Sequence, residues 1–136
     1  MEISPKQADW QDVSVFDAAG GAAFFERLVD SFYRHVESDS VLLSLYPDPH
    51  DLVPARRRLT LFLIQYWGGP TTYSDDRGHP RLRQRHVPFS IGERERDHWV
   101  AAMTAALDDV DPQPTLRKRF DDYFEMTATA MVNRPA

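Results

Sequence analysis

The chain has 136 residues, 42% of them apolar and 12% aromatic, which is enough to bury one core and far from a disordered composition. Its net charge of −5 argues against a general affinity for nucleic acid or anionic membrane, and the lack of cysteine excludes disulfides, thiolate-held clusters and a cysteine nucleophile. The start, Met1-Glu2-Ile3-Ser4-Pro5, does not read as a secretory signal, and no apolar run approaches a membrane span, so a cytoplasmic protein is expected.

Residues 1–15 are read as an N-terminal extension lying over a single domain of residues 16–134. Trp10 in that extension could pack on the domain or on a second subunit, which leaves a homodimer open. Gly20-Gly21 opens the first strong periodic segment, in which Phe25, Leu28, Val29, Phe32 and Val36 recur at helical spacing, with Tyr33 beside the stripe. Ser38-Asp39-Ser40 stops that helix near Glu37 and offers capping chemistry for a short turn through Val41, Leu42 and Leu45. Leu52, Ala55, Leu59, Phe62, Leu63 and Tyr66 form the next helical stripe, which ends at Gly68-Gly69-Pro70.

Between Thr71 and Phe89 no period holds, and Pro80 and Pro88 predict a segment that is largely loop. Ser90-Ile91-Gly92-Glu93 has the form of a capping box, so a helix is expected from near Ile91, striped by Trp99, Met103, Ala106, Leu107 and Val110. Asp111-Pro112-Gln113-Pro114 separates it from a last helix carrying Leu116, Phe120, Tyr123, Phe124, Thr127 and Met131. No run of β-branched residues alternates with period two, and the predicted class is all-α.

Five histidines are present, none in a close pair with metal-ligand spacing, which gives a zinc hydrolase little support. Spacing alone leaves His86 as a surface histidine in a basic loop. It also leaves open a small metalloenzyme built on His79, His86 and Asp75 or Asp76, and a haem-free helical interaction module whose aromatics serve only as core. Seven of the sixteen cationic side chains fall in a stretch of thirty residues: Arg56, Arg57, Arg58, Arg77, Arg81, Arg83 and Arg85. Within that group Arg56, Arg57 and Arg77, and beyond it Arg94, read as a solvated face.

Tyr66-Trp67-Gly68-Gly69-Pro70-Thr71-Thr72-Tyr73, Arg77-Gly78-His79-Pro80-Arg81-Leu82-Arg83, Arg85-His86-Val87-Pro88-Phe89 and Arg96-Asp97-His98-Trp99 together resemble the group II truncated haemoglobins, over Phe16 to about Asn133. The resemblance implies a shortened globin, a two-over-two helical sandwich around haem b, with a very short first helix. It implies His86 as the proximal iron ligand. Tyr33, Tyr46 and Trp99 would be polar donors on the distal face, where dioxygen, carbon monoxide or nitric oxide would bind. Ala55 falls where many globins carry a distal histidine, which passes the donor role to those aromatics. Leu52, Leu59, Phe62, Phe89 and Met103 would pack against the macrocycle, and Arg58 and Arg85 would meet its propionates, because a guanidinium matches a carboxylate in plane. Nitric oxide dioxygenation or peroxide reduction is a further expectation and would draw electrons from an external reductase.

Overall fold

The computed structural model describes residues 13–134; Trp10 and its predicted packing lie outside them. Helix α1 (Val15–Ala19) starts one residue before the expected domain boundary, with the Ser14 hydroxyl accepting from the Asp17 amide. Gly20 closes it at φ 116°, a left-handed conformation that costs glycine nothing, and α2 (Ala22–Glu37) follows directly. All five residues of the predicted stripe on α2 are buried, and Tyr33 is buried with them, so the apolar face is wider than its periodicity suggests.

Asp39 ends the turn after α2 and starts α3 (Ser40–Leu43), its carboxylate accepting from the Val41 and Leu42 amides at 3.0 and 3.2 Å. Helix α4 (Val53–Tyr66) carries Pro54 in its first turn, where no intrahelical donor is lost. Leu52, Phe62 and Leu63 are buried as the stripe predicts, whereas Tyr66 is half exposed and stacks its ring 4.2 Å from that of Tyr123.

The end of α4 requires both glycines. Gly68 sits at φ 105°, and a Cβ there would lie 2.7 Å from that of Ser14. At Gly69 a Cβ would fall 2.7 Å from Ile64 and 2.8 Å from the Phe16 ring. The space so saved lets α1 seat against the end of α4, where the Phe16 amide donates to the Trp67 carbonyl at 2.9 Å.

The segment expected to be largely loop contains two short helices, α5 (Thr72–Arg77) and α6 (Leu82–His86). Neither is held by a long apolar stripe. The Gln65 side chain brackets Ser74, donating to its hydroxyl at 2.7 Å and accepting from its amide at 2.9 Å. Arg85 folds the turn between the two helices by donating to the carbonyls of Pro80, Arg77 and His79.

Helix α7 (Glu93–Val110) does not use the Ser90–Glu93 box; it begins with half of one, because its N-cap has no side chain to accept from the first turn. Its N-cap is Gly92, whose amide is bonded by the Glu95 carboxylate at 2.8 Å. Asp111, at φ 48°, ends α7, and Pro114 opens α8 (Pro114–Met131).

Helix α2 packs on α7 and α4, and α7 packs on α8, which gives two helix pairs laid one over the other. No strand occurs among the described residues, and none of their helices is long and apolar enough to cross a membrane. Phe25, Phe32, Phe120, Leu63, Met103 and Leu107 are fully enclosed at the centre of that sandwich.

Candidate functional site

His86 is the last residue of α6 and is partly buried. Its Nδ1 lies 2.6 Å from the carbonyl oxygen of Leu82, one turn back on the same helix. A carbonyl can only accept, so Nδ1 carries the proton and Nε2 keeps its lone pair for a metal. Orientation of an imidazole by a backbone carbonyl is the usual support for a metal-bound histidine. The Phe89 ring lies 6.0 Å from the imidazole. Tyr73, buried on α5, meets the edge of Phe62 at 5.7 Å and lies under the guanidinium of Arg85 at 5.9 Å.

A second group of side chains comes from α2, α7 and the turn after α3. The hydroxyls of Tyr46 and Tyr33 are 3.3 Å apart, and their rings meet edge to face at 5.7 Å. Tyr33 in turn contacts Phe32 at 5.1 Å, and Phe32 contacts Trp99 at 5.3 Å, so the three predicted donors form one continuous aromatic chain. Burial pushes both phenols up, Tyr46 furthest, and it outweighs the nearby positive charge of Arg58, which acts on both in the opposite direction. Both hydroxyls therefore keep their protons at neutral pH and remain donors.

The turn that carries Tyr46 is tied to α7 through Asp39, whose second oxygen lies 2.8 Å from Nδ1 of His98. Burial raises the Asp39 carboxyl, but the bond to His98 and those from the Leu42 and Val41 amides outweigh it and hold its pKa below the usual range.

Among the remaining predicted contacts, Leu52, Phe62 and Met103 are buried, Ala55, Leu59 and Phe89 are partly buried, and Arg58 is exposed. Arg85 commits Nε and Nη2 to backbone carbonyls, which leaves Nη1 for a rim carboxylate. Arg56 is no part of a solvated face: it bridges Glu37 at 2.6 Å and Asp30 at 3.4 Å and lies 5.6 Å above the Tyr33 ring, bracing α4 against α2.

His79 accepts from the Arg81 amide through Nδ1, and no group of three or more His, Cys, Asp or Glu that could hold a metal ion occurs among the described residues. A His/Asp metal centre is therefore not formed. A porphyrin, which brings four of the iron's ligands itself, needs the single imidazole nitrogen that His86 offers.

Residues 14–133 match the model of the bacterial-like globin family. The chain belongs to that family. It is 39% identical over 114 residues to the group 2 truncated haemoglobin YjbI of Bacillus subtilis, covering 84% of this chain and 85% of that one. The thermostable haemoglobin of Thermobifida fusca superposes with a TM-score of 0.88 at 49% identity, covering 91% of this chain and 100% of that one. The group II truncated haemoglobin of Bacillus anthracis does so at 0.86 and 38% identity, covering 91% and 99%. The globin family implies a haem cofactor and the binding of small diatomic ligands, and the all-helical truncated globin architecture read from the sequence is the one found.

Asn133 and Tyr73 lie among these side chains, Asn133 beside His86 and Tyr73 beside Phe62 and Arg85, though side-chain chemistry along the sequence did not single them out. Tyr73 belongs to one of the resembling motifs, though nothing in its spacing marks it as buried. Asn133 sits 47 residues from His86, yet its side chain reaches the His86 and Phe89 carbonyls, and no local pattern announces that.

Proposed function

We propose that this globin binds dioxygen and other diatomic ligands, carbon monoxide and nitric oxide among them, at a haem b held by Nε2 of His86. Haem, when bound, would supply an iron able to take up such a ligand. The observation that carries the reading is the His86–Leu82 bond, which presents one unencumbered imidazole nitrogen, together with the hydroxyl pair of Tyr33 on α2 and Tyr46 in the turn after α3. Leu52, Leu59, Phe62, Phe89 and Met103 line the apolar walls and exclude water. Arg58 and the free Nη1 of Arg85 meet the propionates at the rim.

Tyr33, Tyr46 and the indole N–H of Trp99 donate to the partial negative charge of a polarised diatomic ligand. In a dry site such donors act strongly and without reorganisation. They slow ligand escape, which favours oxygen chemistry, such as nitric oxide dioxygenation or peroxide reduction with an external electron donor, over bulk transport.

An absorption spectrum tests this directly. The purified protein should show a Soret band at about 400–430 nm that shifts in the ferrous form on adding carbon monoxide. His86→Ala should lose stable haem, with rescue by added imidazole. A wild-type protein without a Soret band would return the haem-free interaction module to first place, and an unchanged ferrous spectrum in His86→Ala would remove His86 from the iron.

A further inference from the structure

We infer that Asn133 is a positioning residue for the proximal ligand, fixing the turn that carries His86 to the start of α7; this rests on His86 being the iron ligand. The Asn133 amide nitrogen donates to the His86 carbonyl at 3.2 Å and to the Phe89 carbonyl at 2.8 Å. Its amide oxygen accepts from the Ile91 amide at 2.9 Å. Carbonyls cannot donate and an amide N–H cannot accept, so this network dictates which way the side chain is turned. The backbone closes the same contact, since the Asn133 and Arg134 amides both donate to the Ile91 carbonyl, at 2.8 and 3.2 Å.

The segment after α8 therefore lies across the four residues that join His86 to Ile91. Two elements that must keep their distance meet there: α6, which ends in the ligand, and α7, which carries Trp99 and Met103. Helix α6 has only local help otherwise, being five residues long and packed chiefly on α8. A helix that short does not hold its own orientation. The Asn133 amide combines two donors and one acceptor at the spacing the turn demands. A carboxylate keeps the acceptor for Ile91 but sets negative charge against the His86 and Phe89 carbonyls. Alanine removes all three bonds.

The test compares haem-loaded wild type with Asn133→Asp and Asn133→Ala. Transfer of haem to excess apomyoglobin should be about tenfold faster in both variants, a loss in keeping with two modest hydrogen bonds. The iron–histidine stretching band of the ferrous form, which a merely structural role would leave in place, should shift or broaden. In wild type the Ile91 amide should exchange with deuterium as slowly as the first bonded amides of α7. Unchanged transfer rate and stretching band in both variants, or fast Ile91 exchange in wild type, would overturn the inference while leaving the haem reading intact. A wild type that takes up no haem would overturn both.

Discussion

Removing the Tyr46 hydroxyl should cost more stability than its long hydrogen bond suggests. At 3.3 Å the Tyr46–Tyr33 bond exceeds the usual ~2.7–2.8 Å for O–H···O, so the bond itself contributes at the low end, about 0.5 kcal/mol. Tyr33, however, is only 3% exposed, and Tyr46→Phe leaves its hydroxyl enclosed without that partner. An orphaned buried hydroxyl costs about 1–3 kcal/mol, which with the bond brings the expected loss to about 1.5–3.5 kcal/mol. Tyr33→Phe should cost at least about 1 kcal/mol, because it strands the Tyr46 hydroxyl, which burial desolvates at least as strongly. In the double variant no hydroxyl is stranded and only the bond is lost, so its loss should fall short of the sum by about 2 kcal/mol or more. Urea unfolding of the four proteins at pH 7 and equal haem loading, followed by far-ultraviolet circular dichroism, measures this cycle. Losses that add to within about 0.3 kcal/mol would show that the two hydroxyls do not depend on each other, and the paired-donor reasoning would fall with them.

Trp99→Phe keeps a ring between Phe32 and Phe124 but removes the N–H; a lost bond to a charged acceptor, about 1.5–3 kcal/mol, predicts oxygen dissociation about tenfold to a hundredfold faster in stopped flow, with a smaller change for carbon monoxide. If that rate holds in Trp99→Phe and rises in Tyr46→Phe, the donor is a tyrosine. Arg58→Ala should speed haem transfer a few-fold without altering the ligand-bound spectrum, in line with a rim ion pair of about 0–1 kcal/mol; an identical transfer rate would assign Arg58 to solvent. The pH dependence at the alkaline end also follows from burial: Tyr33 and Tyr46 are raised above 10.0 and Tyr123 is pushed up to about 12. Protons leave the unfolded chain first, so stability is full below pH 10 and falls as pH rises through the folded values; a urea midpoint flat from pH 9 to 12 would contradict this.

The long helices were legible because each must bury one face, and Phe25, Leu28, Val29, Phe32 and Val36 can share a core only on a helix. His86 was singled out through its motif and not through spacing, since a single imidazole carries no pattern of its own; the bond from its Nδ1 to the Leu82 carbonyl was not foreseen. The short helices α5 and α6 stayed hidden because side-chain-to-backbone bonds hold them, from Gln65 on α4 to the Ser74 amide and from Arg85 back to the turn between them, with no periodic stripe. The cap of α7 was misread: Ser90 and Glu93 match the capping-box pattern, yet the carboxylate that reaches back is that of Glu95, to the amide of Gly92, which has no side chain to complete the box. Arg56 looked like one more surface cation in a run of three, and only the packing of α4 on α2 brings Glu37 and Asp30 within its reach.

The paired glycines at the end of α4 make α1 a dependent element. A helix of five residues has no stability of its own, and what holds this one is the buried Val15, the stack of Phe16 on Phe25 at 6.0 Å, and one backbone bond to Trp67. Two of those three contacts are reached only because no side chain projects from Gly68 or Gly69. The first turn of the fold is thus a latch that closes after α4 has formed and ended, and whatever loosens the last turn of α4 releases it. Ser14 and Gly68, 54 positions apart, behave as one site: a side chain at position 68 would occupy the space that Ser14 already fills.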